Sequence, residues 1–207
     1  MPTPIRLYRH PLSGHAHRAE LMLSLLGLPT ERVDVDFATA EHKSPSFLAR
    51  NAFGQLPVIE DGGFVLADSN AILVYFALTY DPERRWLPVD ARVQAQIQRW
   101  LSVAAGQLAS GPAAARVSAV FGRPSNPQHA ATARQLFDVM EGHLADRDWL
   151  AADHATIADV AMYTYTAHAP EGGIALGPWP RLGAWVARVE ALPRFVGMKR
   201  SPVPASA

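Results

Sequence analysis

The stretch IRLYRHPLSGHAHRAELMLSLLG, residues 5–27, decides the fold because its hydrophobic period changes in the middle. Ile5–Tyr8 alternates apolar and polar residues, which is typical of a strand. After Ser13 the apolar residues recur at helical spacing, and Gly27 followed by Pro29 marks the end of a helix. A strand that passes directly into a helix predicts a sheet covered by crossover helices.

The residues that follow extend this unit to about Tyr80. Arg32–Val35 predicts a second strand, and Ser44-Pro45 predicts a short helix with a serine N-cap and proline in its first turn. Asp61-Gly62-Gly63 stands between two strand-like runs and predicts a hairpin. Asp68-Ser69 predicts the cap of a helix that ends near Tyr80. The predicted order of elements is β-α-β-α-β-β-α.

The second half of the chain shows only helical periodicity. We predict an α/β domain over 1–80, a linker over 81–89 and an all-helical domain over 90–207, with a free tail at 201–207. Thr156-Ile-Ala-Asp159 matches a capping box and predicts the start of a buried helix. The predicted helices of this half carry their apolar residues on one face: 93–104, 133–140, 157–167 and 182–192.

Composition limits the partners of the chain. Lysine and arginine number 19, as do aspartate and glutamate, so no net field favours nucleic acid or an anionic membrane. The apolar stretches are too short to span a bilayer, and the first residues carry no signal-peptide pattern. We therefore expect a cytoplasmic protein with no nucleic-acid or membrane partner.

The chain has no cysteine. This excludes disulfides, thiolate-metal sites and a protein thiol nucleophile, so any thiol chemistry needs the sulfur of a ligand. His15 and His17 would point to different sides of a helix and would form a poor metal pair. We expect neither a metal ion nor a resident cofactor.

Four polar clusters could carry chemistry, and each also has a purely structural interpretation. Ser13 could cap its helix or could donate a hydrogen bond to an anion at the helix terminus. Glu41-His42-Lys43 could be a solvated patch or could hold a carboxylate. Leu56-Pro57 precedes a strand and, if cis, would present the Leu56 backbone to a ligand, which the local sequence does not decide. Asp68-Ser69 could cap a helix or could bind an ammonium and a carboxylate group.

The order and spacing of these clusters resemble the glutathione transferase family over essentially the whole chain. The segments that carry the resemblance are LYRHPLSG, EHKSPSFLARNAFGQLPV and DGGFVLADSNAI in the first half, and WLAADHATIADV and WPRLGAWVARVEALPRF in the second. The segment that ends at Ser13 and the EHKSP stretch are similar to the serine-type, phi-like branch and its bacterial relatives. The resemblance implies the cytosolic glutathione transferase fold, a thioredoxin-like domain followed by a helical domain, in a homodimer.

The resemblance also implies a role for each cluster. Ser13 would hydrogen-bond the glutathione sulfur, and Leu56, ahead of a cis Pro57, would pair through its backbone with the cysteinyl moiety. The other implied contacts lie at the two ends of the tripeptide, with His42, Lys43 and Gln55 at the glycine end and Asp68 and Ser69 at the γ-glutamyl end. Glutathione would be a co-substrate and not a cofactor.

The sequence departs from the family pattern at two positions of the site. Asp68 replaces the more usual glutamate, which should weaken the ammonium contact without abolishing it. Asn70 stands where phi-like sequences often have arginine. The lack of cysteine excludes the glutaredoxin-like branches, and the SSC-type signature of the isomerase branch is not matched.

The implied reaction is attack of a glutathione thiolate on an electrophilic, hydrophobic substrate, a role in detoxification. The electrophile pocket is expected between the domains and next to Leu12. Small residues at 104–106 and 113–115 fit an open cleft or, equally, tight helix packing. Two alternatives stay open, namely a non-catalytic binding or regulatory protein on the same fold, and a glutathione-dependent peroxidase, dehalogenase or isomerase.

Overall fold

The computed structural model describes residues 3–204, so the predicted domain ends at residues 1 and 207 and the tail residues 205–207 lie outside the described residues. The chain forms two compact units. The first comprises the residues up to Arg84 together with Pro193–Lys199, and the second comprises Arg85–Leu192 and the residues from Arg200 onward. The segment 193–199 therefore belongs with the first unit, whereas the sequence placed it in the helical domain.

The first unit is a four-stranded sheet with helices between its strands. Its elements are β1 (Ile5–Arg9), α1 (Gly14–Leu26), β2 (Thr30–Asp34), a 3₁₀ turn (Glu41–Lys43), α2 (Pro45–Leu48), β3 (Val58–Asp61), β4 (Phe64–Ala67) and α3 (Ser69–Tyr80). The strand order is β2-β1-β3-β4, with β1 parallel to β2 and antiparallel to β3. The predicted β-α-β-α-β-β-α order and the thioredoxin-like arrangement are confirmed.

The local signals begin or end the helices of this unit where the sequence predicts. Gly27 closes α1 in the left-handed region at φ 68, which glycine adopts without steric cost. Ser44 caps α2 by accepting the Phe47 N–H at 3.2 Å. The second strand, however, runs from Thr30 to Asp34 and not from Arg32 to Val35. The bounds of this strand are set by its pairing with β1. The alternation of apolar and polar residues within one strand does not predict that pairing.

The segment 193–199 contacts α1 through its backbone. The carbonyl of Val196 bonds the imidazole Nε2 of buried His17 at 2.9 Å. The carbonyl of Arg194 accepts a hydrogen bond from Ser24 Oγ at 2.7 Å. These two bonds satisfy polar groups of α1 with a chain segment that lies 170 to 179 residues further along the chain.

The second unit is helical. Its elements are α4 (Ala91–Ala105), a π-helical turn (Ala109–Ala113), α5 (Ala114–Val120), α6 (Pro127–His143), α7 (Ile157–Ala167), a 3₁₀ turn (Ala169–Gly172) and α8 (Pro180–Glu190). Every residue of α7 is buried, which makes it the centre of this unit. No helix in the described part of the chain has the length and apolarity needed to cross a membrane.

The predicted capping box begins α7. Thr156 Oγ1 accepts the Ala158 N–H, while the Asp159 carboxylate accepts the Thr156 N–H at 2.9 Å. The same carboxylate also accepts the Leu150 N–H at 3.1 Å and the Trp185 indole N–H at 2.9 Å. The motif therefore joins α7 to α8 and to the loop before it, beyond its role as a local cap.

Helix α5 and the π-helical turn were not predicted, and they account for some of the small residues. A Cβ added at Gly111 would lie 2.9 Å from the Ala133 backbone N, so the turn packs directly on α6. Ala104 and Ala113 are buried. At these positions small residues serve close packing within the second unit, the second of the two interpretations that the sequence allows.

A buried ion network joins α5 to the 3₁₀ turn that follows α7. Arg116 Nε donates to Glu171 Oε2 at 2.7 Å, and His168 Nδ1 lies 2.6 Å from Glu171 Oε1. The backbone of Ser201 helps to hold the pKa of Glu171 below its ordinary value. Ser201 is also half-buried, so the prediction of a free tail is wrong at its first residue.

Candidate active site

The four polar clusters lie at one end of the sheet, as the strand register requires. Arg9 at the end of β1 pairs with Asp34 at the end of β2. Tyr8 pairs with Val58 at the start of β3, and Val58 pairs with Ala67 at the end of β4. The segments that leave β1, β2 and β4 or enter β3 at this end contain the predicted residues: Ser13, His42, Lys43, Gln55, Leu56, Pro57, Asp68 and Ser69.

Ser13 caps α1 and keeps its proton for another acceptor. Its backbone is extended, and Oγ accepts the Ala16 N–H at 3.2 Å. A serine hydroxyl can accept hydrogen bonds through two lone pairs and donate one through its proton. Capping uses one lone pair of Ser13 Oγ and leaves its proton available. The side chain is half-buried at the positive end of the α1 dipole. The structural and functional interpretations of Ser13 are therefore compatible.

Tyr8 does not compete with Ser13 as a donor to this end of the sheet. The residue is buried in a cluster with Val35, Phe47 and Val58. Burial and the neighbouring Glu60 carboxylate raise the pKa of Tyr8 above its ordinary value. A phenol that already serves a carboxylate is a poor donor for a second anion.

The start of α3 carries the γ-glutamyl candidates. Asp68 is exposed, adopts φ 74, and caps the helix through Oδ1, which accepts the N–H groups of Asn70 and Ala71 at 2.9 Å each. Capping therefore occupies one carboxylate oxygen of Asp68, and the negative charge of this exposed group stays accessible to a ligand. Ser69, by contrast, is buried at the first helical position.

A buried arginine behind Ser69 was missed by sequence reasoning. Arg18 of α1 is 1% exposed, and its Nη1 donates to Ser69 Oγ at 3.1 Å. The same nitrogen contacts His15 Nδ1 at 3.1 Å. Burial and the neighbouring Arg18 charge lower the pKa of His15 to about 3, so His15 is a neutral acceptor and Arg18 carries the charge. The available signal was an arginine among the apolar positions of α1, adjacent to Ala19.

The glycine-end candidates are joined by backbone contacts. Lys43 Nζ donates to the carbonyls of Phe53 and Gly54 at 3.2 and 3.3 Å. An ammonium has three protons, so one stays available to a ligand. Gly54 has φ +58, and an added Cβ would lie 2.7 Å from Lys43 Nζ, so glycine allows this approach. Gln55, the next residue, is exposed.

The Leu56-Pro57 peptide bond is cis, as the family resemblance implies. Buried Asn51 shapes the preceding turn, because its Nδ2 donates to the Gln55 carbonyl at 2.8 Å and its Oδ1 accepts the Phe53 N–H at 3.1 Å. Leu56 is half-buried and lies just outside the paired residues of β3. Its peptide groups are thus placed beside the start of α1 and α3 by the register of the sheet.

Comparisons with known proteins agree with this arrangement. The chain matches the sequence models of the glutathione S-transferase N-terminal domain over residues 3–77 and C-terminal domain over residues 114–193. Glutathione S-transferase 3 of Zea mays is 34% identical over 204 residues, 93% of this chain and 91% of that protein.

Solved structures are similar over nearly the whole chain. Glutathione S-transferase from Pseudomonas fluorescens Pf-5 has a TM-score of 0.89 at 33% identity, covering 95% of this chain and 99% of that one. A glutathione transferase homolog from Lodderomyces elongisporus, solved with two GSH per subunit, has a TM-score of 0.83 at 26% identity, covering 93% and 95%.

A thioredoxin-like unit with a serine-capped first helix, followed by a helical unit, defines a class of glutathione-dependent proteins. The chain belongs to the glutathione S-transferase family.

Proposed function

We propose that the chain is a serine-type glutathione transferase that binds the tripeptide at the described end of the sheet. Ser13 holds the thiolate, and the thiolate attacks an electrophilic carbon. The observation that carries this proposal is the hydroxyl of Ser13, which caps α1 as an acceptor and keeps its proton to donate.

The magnitudes support thiolate stabilisation by this group. A thiol of pKa about 8.5 is only a few per cent ionised near neutral pH, and lowering that pKa by two units needs about 2.7 kcal/mol. One hydrogen bond to a charged group contributes roughly 1.5–3 kcal/mol. The helix terminus adds about 0.3–1 kcal/mol. Ser13 and α1 together are therefore sufficient.

The chemical step needs no protein base. The thiol proton leaves to solvent on ionisation, the sulfur forms a bond to the electrophilic carbon, and the leaving group departs with its electron pair. Ser13 donates a hydrogen bond to the anion throughout and is not itself deprotonated, because its hydroxyl is too weakly acidic.

At the γ-glutamyl end, the site would offer a positive charge to the α-carboxylate and a negative charge to the ammonium group. Ser69 Oγ accepts from Arg18, so its own proton can be donated to the α-carboxylate, with a buried cation behind it. The α3 N-terminus favours the same anion. Asp68 supplies a negative charge for the ammonium group. Asn70 supplies no positive charge, and Arg18, buried behind Ser69, is a fixed cation at this end.

The middle and the glycine end complete the site. The Leu56 backbone would pair with the cysteinyl moiety beside Pro57. His42, the remaining Lys43 proton and the exposed Gln55 would meet the glycine carboxylate. Each polar group of a zwitterionic tripeptide then has a partner of the right sign.

A homodimer is proposed with this function. Phe53, Phe64 and Leu78 are 79%, 47% and 50% exposed, which is unusual for large apolar side chains unless another surface covers them. Phe64 packs against Tyr75 of α3 with ring centroids 4.9 Å apart and tilted planes, so β4 and α3 share one apolar face. Sedimentation should give a dimer, and Leu78→Asp should shift it toward monomer; a monomeric wild-type chain would refute this part. A cytoplasmic role in detoxification is proposed on the resemblance alone.

Turnover distinguishes the proposed transferase from its alternatives. Thiol consumption should be followed with a panel of aryl halides, epoxides, hydroperoxides and haloalkanes. Conjugate formation with the first two classes supports transferase activity. Peroxide reduction or dehalogenation alone would favour the other enzymes on this site. Glutathione binding without consumption of any electrophile would favour a binding or regulatory protein, or an isomerase, which regenerates its glutathione.

A further inference from the structure

Three aromatic rings link two of the site segments. His10, directly after β1, stacks on Phe37 with ring centroids 4.9 Å apart and planes 3° from parallel. Phe37, after β2, meets His42 of the 3₁₀ turn edge-on at 4.5 Å. We call these three residues the aromatic array. It runs from the turn that precedes Ser13 to the turn predicted to meet the glycine carboxylate.

His10 anchors the array on the Ser13 side. Its Nδ1 accepts the Leu12 N–H at 3.2 Å, and its carbonyl accepts the Ser13 N–H at 2.9 Å. Burial lowers the pKa of His10, with Asp34 and Asp36 opposing and Arg9 adding to the shift. The ring is therefore neutral near pH 7, and Nδ1 can accept while Nε2 carries the proton.

His42 depends on the array for its orientation. Its Nδ1 is enclosed by the protein and has no hydrogen-bond partner among residues 3–204, which leaves Nε2 as the nitrogen that a ligand can reach. Its ring contact is with Phe37. A histidine ring normally gains its direction from a hydrogen bond on one nitrogen. In this chain the edge contact with Phe37 orients the His42 ring instead, and the stack on His10 holds Phe37 in place.

We propose that Phe37 and His10 are positioning residues of the glutathione site. They hold His42 toward the glycine carboxylate and tie that contact to the turn that presents Ser13. The inference rests on the proposed function. It predicts that Phe37 contributes to the affinity for a thiol ligand only when that ligand contains glycine.

The test compares two thiol ligands by calorimetry. Glutathione and γ-glutamylcysteine share the cysteinyl and γ-glutamyl groups, but the second lacks glycine. Phe37→Leu should weaken glutathione binding by about threefold to tenfold, the range for losing one aromatic pair. It should leave γ-glutamylcysteine binding unchanged within about twofold. Phe37→Tyr keeps the ring and should restore the wild-type difference between the two ligands.

Two variants of His10 separate its two contacts. His10→Asn keeps an acceptor for the Leu12 N–H and loses the stack, so it should reproduce the glycine-dependent loss with an unchanged pKa of the bound thiol. His10→Phe keeps the stack and loses the acceptor. It should preserve glycine-dependent affinity, raise the bound-thiol pKa and lower kcat. Thermal unfolding of each variant reports whether the fold is retained.

Each result decides the inference. Equal weakening of both ligands in Phe37→Leu would show a merely structural ring and overturn it. So would identical behaviour of His10→Asn and His10→Phe, or equal affinity of the wild-type chain for both ligands. In those cases glutathione still binds and the thiolate chemistry proposed for Ser13 stands, although equal wild-type affinities would also remove the proposed contacts to the glycine carboxylate. A wild-type chain that binds neither ligand would instead refute the proposed function, and this inference with it.

Discussion

Arg18 donates a hydrogen bond to Ser69 Oγ at 3.1 Å from a position that is 1% exposed. The contact connects the first helix of the chain to the start of α3. A buried guanidinium that points at a hydroxyl orients that hydroxyl, because Arg can only donate and Ser69 must then accept from it. The proton of Ser69 can then be donated to a ligand anion or to His15 Nδ1, which lies 3.4 Å from Ser69 Oγ.

The first prediction follows from this orientation. Ser69→Ala should weaken glutathione binding by roughly tenfold to 150-fold, since a hydrogen bond to a charged group contributes roughly 1.5–3 kcal/mol. Calorimetry with 4-aminobutyryl-cysteinylglycine, which lacks the α-carboxylate, should show no such loss. Ser110→Ala, an exposed hydroxyl on the second unit, is the control. Equal losses for both ligands would show that Ser69 does not meet the carboxylate.

Asp68 allows its cap and its charge to be tested apart. Asp68→Asn keeps an oxygen for the N–H groups of Asn70 and Ala71 but removes the negative charge. The melting temperature should change little, whereas the Kd for glutathione should rise because the ammonium loses its counter-charge. Titration calorimetry and thermal unfolding of the same sample measure both. An unchanged Kd would reduce Asp68 to a helix cap.

Ser13→Ala should raise the apparent pKa of bound glutathione by about one to two units. The lost hydrogen bond stabilises the thiolate, so turnover near neutral pH should fall and recover as the pH rises. Ultraviolet absorbance of the thiolate reports the pKa directly. Loss of the cap also costs about 1 kcal/mol of stability. Asn126→Ala removes a comparable cap from α6 and should leave the bound-thiol pKa unchanged.

The acid stability of the chain should depend on His15. Its pKa in the fold is about 3 against an ordinary 6.5, so the unfolded chain binds a proton first as the pH falls. The free energy of unfolding is therefore full above about pH 6.5 and decreases toward pH 3. Between about pH 7 and pH 5.5 the decrease is about 1 kcal/mol.

The measurement is a difference between variants, because burial also lowers the pKa of His10, His143 and His168. Urea unfolding of wild type and His15→Gln across this range should show a shallower pH slope in the variant. His129→Gln, at a half-buried position of α6, is the control for the loss of a histidine. Parallel slopes for His15→Gln and wild type would contradict the assignment.

Asp159→Asn should destabilise the second unit strongly. The carboxylate is 0% exposed and accepts from two backbone N–H groups and the Trp185 indole. An amide replaces one acceptor oxygen with a donor, and each buried donor left unpaired costs roughly 1–3 kcal/mol. Asp138→Asn keeps an oxygen for the Trp179 N–H and should cost less than about 1 kcal/mol. Equal urea midpoints for the two variants would disprove this role.

Sequence alone predicted the features that local physics decides. The cap at Ser13, the stop at Gly27 and the capping box at Thr156–Asp159 each depend on residues within one or two turns. The family resemblance supplied the cis bond at Pro57, which local physics left open.

The missed features depend on contacts between distant residues. Arg18 lies 51 positions from Ser69, and the bounds of β2 follow from its pairing with β1. The link from Phe37 to His10 needs the sheet register before it can be seen. A solitary arginine on an apolar helix face was the one local sign of the buried cation.

The return of segment 193–199 to α1 makes the first unit discontinuous in sequence. The carbonyls that bond His17 and Ser24 are supplied only after all the described helices of the second unit have been synthesised. A ribosome-bound chain can therefore form the helices of the second unit while the first unit still lacks this segment. No single peptide-bond cleavage can yield both units intact. If the helical units of two relatives were exchanged, segment 193–199 would have to be transferred with them or replaced.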